Sequence, residues 1–97
     1  METVAVDVYV FDVLMRDLIG HDKHPSAFLV YVYLWRRAAD VKGAVFLSHQ
    51  MIADATGLSK SAVQDAVAAL ERRKLVRVQR ASKTATPGYT LLQHWRR

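Results

Sequence analysis

Residues 47–78, LSHQMIADATGLSKSAVQDAVAALERRKLVRV, decide how this chain is read. The stretch predicts two short helices hinged at a glycine and followed directly by a basic strand. Ser48 is a candidate N-cap, since its hydroxyl can accept from a backbone N–H that the first helical turn leaves without a partner. Met51, Ile52 and Ala55 then supply an apolar stripe at helical spacing. Gly57 ends this helix, where a residue without a Cβ takes a left-handed conformation cheaply. Ser59 caps the second helix, in which Ala62, Val63, Ala66, Val67 and Leu70 recur at three- and four-residue steps. From Leu75 to Arg80 the period changes to two, with Val76 and Val78 inward and Arg77 and Gln79 outward. Ala81 to Pro87 is a polar loop and Gly88 to Leu92 a returning strand, so the segment closes as a β-hairpin with RASKTATPG at its tip.

Working outward, Val45 to Leu47 reads as a brief strand. Pro25 suits the first turn of a helix running to about Ala39. Phe28 to Trp35 is rich in Val, Tyr and other aromatics and locally resembles a strand. Pro25 and Ser26 open the segment and Arg36 and Arg37 follow in its last turns; these signals, with a family resemblance carried by residues 47–80, make helix the expectation, with Phe28, Leu29, Val32 and Trp35 as its buried stripe. Residues 3–10 alternate, with Val4, Val6, Val8 and Val10 on one side, and predict a strand. Asp12 then caps a short helix carrying Val13, Leu14, Leu18 and Ile19, which Gly20 terminates. Residues 21–24, HDKH, form a polar link, and Gln93 to Arg97 a basic, frayed tail.

Ninety-seven residues suit one domain, and 52% hydrophobic residues are ample for a core. There is no cysteine, so neither a disulfide framework nor thiolate chemistry is available. The longest apolar run, Ala27 to Trp35, is too short to span a bilayer, and the N-terminus lacks the basic start and apolar core of a signal peptide. The expectation is a soluble cytoplasmic domain with no membrane partner. Net charge is +5, unevenly placed. Residues 1–57 hold five Lys/Arg against seven Asp/Glu, whereas residues 58–97 hold nine against two. The positive charge therefore falls on the second helix, the hairpin and the tail, where a phosphate backbone needs it; the alternative is a solvated face that binds nothing.

The phrase Ile52-Ala53-x-Ala55-Thr56-Gly57-Leu58-Ser59-x-Ser61-x-Val63, with Leu70-Glu71-Arg72-Arg73-Lys74-Leu75-Val76 after it, resembles bacterial winged helix-turn-helix DNA-binding domains. The likeness covers about residues 25–92 and is best between 47 and 80. It implies an α+β fold, with a three-helix core, a C-terminal β-hairpin wing and, in this chain, an N-terminal strand/helix extension. The organisation expected is extension 1–24, core 25–92 and basic tail 93–97 within a single domain. It also implies a recognition helix at about 59–73 in the DNA major groove, for which two helices joined by such a turn are built. Transcription regulators, plasmid and phage replication initiators and a few protein-binding modules share the pattern.

With the apolar stripe turned inward, Ser59, Lys60, Ser61, Gln64, Asp65 and Ala68 face out. Gln64 is the base-reading candidate, because its amide both donates to and accepts from an adenine edge; the alternative is an ordinary exposed glutamine. Lys60 and Ser61 are assigned to phosphate or guanine, aided by the positive end of the helix dipole. Ser59 is a cap first and a DNA contact second. Asp65 cannot bind phosphate; it can accept from a cytosine amine, but pairing with Lys60 or Arg72 is the expectation. Ser48, His49 and Gln50 begin the preceding helix, which in such folds abuts the DNA backbone. Arg80, Lys83 and Thr84 lie on or near the wing, within reach of the minor groove or flanking phosphates, or else are solvated. Arg72, Arg73 and Lys74 complement the helix C-terminus and take the structural reading.

Other patterns carry less. His21 and His24 lack further ligands, so no metal or cofactor is expected. Asp7, Asp12, Asp17 and Asp22 recur every five residues and do not converge on one helix face. No phosphate loop or catalytic set has supporting context, and no enzyme activity is expected. Phe28, Tyr31, Tyr33 and Trp35 interleave with Leu and Val and belong to the core before any stacking platform. Residues 3–19 carry more apolar surface than a minimal domain of this class needs. That surface seals the core or forms a dimer seam, and a homodimer is expected because one short recognition helix reads few base pairs. The function expected is sequence-specific double-stranded DNA binding in transcription regulation. The rival is a winged-helix protein-interaction module in plasmid or phage replication or partition, which Asp65 and Ala68 on the reading face favour.

Overall fold

The computed structural model describes residues 1–96. An N-terminal helical segment comes first, followed by α1 (Pro25–Ala38), β1 (Val45–Phe46), α2 (His49–Thr56), α3 (Lys60–Arg72), β2 (Val76–Gln79) and β3 (Gly88–Leu91). The three strands form an antiparallel sheet in the order β1-β3-β2. This is the α+β arrangement of a winged helix-turn-helix, with the β2–β3 hairpin as the wing.

The central helix, α1, packs against α3, α2, the sheet and the N-terminal segment. Pro25 occupies its first turn, and His24 caps it by accepting the Ala27 N–H at Nδ1, 3.3 Å away. Its buried face is Ala27, Phe28, Val30, Tyr31, Leu34 and Trp35. Phe28 and Trp35 fall where the sequence placed them, but Leu29 is 48% exposed and Val32 only half-buried. The stripe is broader and rotated because neighbours cover α1 on several sides, whereas the sequence reading assumed one buried strip.

The helix pair follows the capping logic closely. Ser48 Oγ accepts from Met51 N–H at 3.1 Å, and Ser59 Oγ from Ala62 N–H at 3.0 Å. Gly57 stands in the left-handed region at φ 80°, and its N–H donates to Ala53 C=O. On α3 the expected positions Val63, Ala66, Val67 and Leu70 are buried, joined by Ala69, with Ala62 half-buried. On α2 the expected stripe is out of phase, since Ile52 and Ala53 are buried while Met51 and Ala55 are exposed. A two-turn helix offers too few positions to fix the phase of a stripe.

In the wing, Val76 is buried and Val78 half-buried, while Arg77 and Gln79 face out. β3 pairs with β2 along its length (Val76↔Leu91, Val78↔Tyr89) and with β1 through Val45↔Tyr89 and Phe46↔Gly88. At Gly88 a Cβ would lie 2.7 Å from the ring of exposed Phe46, so a larger residue there would have to turn that ring aside.

Both termini differ from expectation. Residues 1–7 form no strand, and the chain is helical from Val8. The turns at Val10–Leu14 and Arg16–His21 are π-helical, with Met15 N–H donating to Val10 C=O. The alternation of valines is overridden because a strand needs an edge to pair with, and these residues lie against α1, where Trp35 Nε1 donates to Ala5 C=O at 2.8 Å. The helix instead buries Val10, Leu14 and Leu18 at four-residue steps. Gly20 does not end it; Lys23, at φ 55°, takes the left-handed position beyond.

The tail is anchored as far as it is described; Arg97 lies outside the described residues. Trp95 stacks on Tyr9 (centroids 4.4 Å apart, 16° between planes) and lies parallel to Trp35 at 6.4 Å. Its Nε1 donates to Asp7 Oδ2 at 2.8 Å, and Arg96 grips the same carboxylate through two bonds of 2.7 and 2.8 Å. Together these donors hold Asp7 down to about 2, Arg96 having the larger effect. A carboxylate with a depressed folded pKa contributes stability above its ordinary value and loses it as pH falls toward the depressed one. Acidification from about pH 4 to about pH 2 is therefore predicted to release the clasp, read as a change in tryptophan fluorescence. Asp7→Asn should remove that transition and show the released spectrum at neutral pH.

Candidate nucleic-acid interface

Three polar edges converge on one side of the molecule. α2 presents Ser48, His49 and Gln50 from its N-terminus. α3 contributes Lys60 and Gln64 from its first two turns, and the wing adds Arg80, Lys83 and Thr84. Together they line an open groove of about 600 Å³, whose remaining wall is Ala85, Thr86 and Pro87. The groove follows from the caps. Ser48 and Ser59 each start a helix on this side, so the N–H ends of two helix dipoles lie beside it and add to its positive potential.

Eight of the ten residues singled out in the sequence thus line one concavity. Ser59 and Ser61 are exposed but do not line it; Ser59 acts as the cap of α3. Gln50 faces the groove with its amide engaged, donating to Asp54 Oδ1 at 2.8 Å. Among the described residues, Gln64 has no side-chain hydrogen bond, and Lys60, Arg80 and Lys83 have no acidic partner, which leaves all four available to a ligand. Thr84 Oγ1 lies 3.5 Å from Ser82 Oγ within the wing loop. Sequence reading missed the wall formed by Ala85, Thr86 and Pro87. The one available signal was Pro87 before Gly88, which fixes where the loop rejoins the sheet and where Pro87 C=O accepts the Leu47 N–H at 3.2 Å.

The expected partner of Asp65 is absent. It is exposed and makes no ion pair among the described residues. Arg73 takes the structural role, binding Asp22 through bonds of 2.8 and 3.3 Å and tying the end of α3 to the segment before α1. His24 is occupied as a helix cap, and His21 Nδ1 lies 2.8 Å from Asp22 Oδ1.

His49 reports the electrostatics of the groove. It is half-buried, and its Nε2 is shielded from solvent without a hydrogen-bond partner. Desolvation lowers its pKa first, and the positive charges of Arg80 and Lys60 lower it further.

A fold of three helices with a β-hairpin, displaying a cationic groove between the second helix pair and the hairpin, defines a helix-turn-helix protein of the winged type. The comparisons agree: a family model described as a helix-turn-helix domain matches residues 22–76, and the chain belongs to that family. The membership is consistent with DNA binding. No curated protein and no solved structure matched the chain. No helix among the described residues is long and apolar enough to cross a membrane.

A histidine whose folded pKa lies below its ordinary value of 6.5 leaves stability intact above that value, and costs stability as pH falls below it. His49→Gln is therefore predicted to flatten the decline in chemical-denaturation midpoint between about pH 6.5 and 5. An unchanged decline would place the titrating group elsewhere.

Proposed function

We propose that the protein binds double-stranded DNA sequence-specifically as a transcription regulator of bacterial, plasmid or phage origin, working as a cytoplasmic homodimer. The observation that carries this reading is the groove, in which three cations without acidic partners among the described residues surround a glutamine without a side-chain hydrogen bond among them, on the exposed start of α3. In this reading α3 enters the major groove and Gln64 reads a base edge. Lys60 and the N-terminus of α2, with Ser48, His49 and Gln50, meet backbone phosphates. Arg80, Lys83 and Thr84 extend the contact from the wing, while Ser59 and Ser61 lie at its margin. Counterion release by the cations supplies affinity without sequence preference, and Gln64 supplies discrimination. No cofactor, metal or catalytic step enters this reading.

A second reading, a protein-interaction module in replication or partition, is favoured by Asp65, an acid exposed on α3 without an ion partner among the described residues. A fluorescence titration on random duplex at two salt concentrations separates the two. Affinity that falls steeply with salt supports DNA; no binding at low salt supports a protein partner.

Two substitutions divide the proposed roles. Gln64→Ala is predicted to cost about 1–3 kcal/mol against the preferred duplex and to relax preference at one base pair, read by selection from a random duplex pool. Lys83→Ala is predicted to weaken all duplexes alike and to lower the slope of log affinity against log salt by about 1. Unchanged low-salt binding in that variant would remove the wing from the interface.

A further inference from the structure

A second surface is apolar and lies away from the cationic groove. An open cleft of about 330 Å³ is walled by Phe11 of the N-terminal helix, by Leu29, Val32 and Arg36 of α1, and by Ala55 and Thr56 of α2. Phe11 packs edge-on against Phe28, so the N-terminal helix and α1 share this wall. Met15 and Ile19 follow Phe11 at four-residue steps along the N-terminal helix, and Met51 lies one turn before Ala55 on α2; all three stand outside the lining of the cleft itself. Phe11, Met15, Ile19, Leu29 and Met51 are 46, 36, 37, 48 and 49% exposed. Water-exposed apolar side chains in this number on adjoining elements call for a partner.

We propose that this face is the seam at which two copies of the chain meet about a two-fold axis. The inference deepens the homodimer of the preceding reading and supplies its surface. Size is the first argument. The five side chains leave about 400 Å² of apolar area open, close to the apolar share of the ~800 Å² that each partner buries in a stable interface. Charge is the second. Exposed Asp12 and Arg16 flank Phe11 and Met15, Arg36 and Asp40 form an ion pair at 2.9 Å beside the cleft, and Asp54 borders Ala55. Both signs are present on the rim, so a copy turned by a two-fold can set acids opposite bases, whereas a uniformly charged rim would repel its own copy. Position is the third. Ser48, His49 and Gln50 at the start of α2 line the cationic groove, while Ala55 and Thr56 at its end line the cleft. About 10 Å of helix separates the groove-lining start of α2 from its cleft-lining end, with Met51 between them.

Sedimentation equilibrium of the full chain without DNA, up to hundreds of micromolar, tests the seam apart from DNA binding. The expected result is a monomer–dimer equilibrium whose dissociation constant rises at least about tenfold in Leu29→Glu and in Met15→Glu. Both side chains are exposed in the monomer, so circular dichroism and the low-concentration melting temperature should be unchanged. A strictly monomeric wild type, or a dimer equally stable in both variants, would overturn the proposal. A dimer lost in the variants while the wild type fails to bind duplex at low salt would keep the seam and refute the DNA reading alone.

Discussion

Burial of one face of α3 is the constraint on which the rest of the structure depends. Val63, Ala66, Val67, Ala69 and Leu70 are withdrawn from water, and α1 is the main surface they withdraw against. A helix that buries this stripe has no freedom left about its axis, so Lys60 and Gln64 are turned outward as a consequence. The same packing positions α2, because Gly57 and the cap at Ser59 join the two helices by a turn without slack. The wing leaves α3 through Lys74, in the left-handed region at φ 56°, with Leu75 N–H donating to Leu70 C=O. That exit points β2 back toward the start of α3 and brings Arg80 beside His49.

Charge is sorted by this geometry. The basic C-terminal part of the sequence does not form one uniform surface. Arg73 is engaged by Asp22 and Arg96 by Asp7, and both pairs tie chain segments distant in sequence. Each of these pairs is partly exposed, so its value lies in orienting the segments more than in raw stability. Lys60, Arg80 and Lys83 remain without acidic partners among the described residues, and they share one groove. The imidazole of His49 sits among them with Nε2 unpartnered, its pKa lowered first by desolvation and further by Arg80 and Lys60.

Much of this was legible in the residues because local rules decided it. Ser48, Gly57 and Ser59 announce helix ends through backbone groups that need partners, and the structure uses each as read. The long stripe of α3 and the alternation of β2 carry enough repeats to fix their phase. Where the reading failed, distant partners decided. Val4 to Val10 alternate as a strand would, yet no edge is offered to them and Trp35 holds Ala5 instead. Trp95 and Arg96 look like a loose tail until Asp7 and Tyr9, nearly the whole chain away, are placed beside them. Met51 and Leu29 were assigned inward by short stripes that do not reveal how many neighbours surround a helix. The groove was legible as a set of residues, but its wall at Ala85 to Pro87 depends on a loop path that no periodicity encodes.

The central claim is that one surface, built from the starts of α2 and α3 and the wing, receives duplex DNA. Titration of isotope-labelled protein with duplex, followed by backbone amide chemical shifts, tests it most directly. The account predicts perturbations concentrated at residues 48–50, 60–64 and 80–86, with the face around Phe11 and Leu29 shifting only as dilution and concentration of the free protein shift it. Perturbations centred on that apolar face, or spread evenly over the surface, would contradict it.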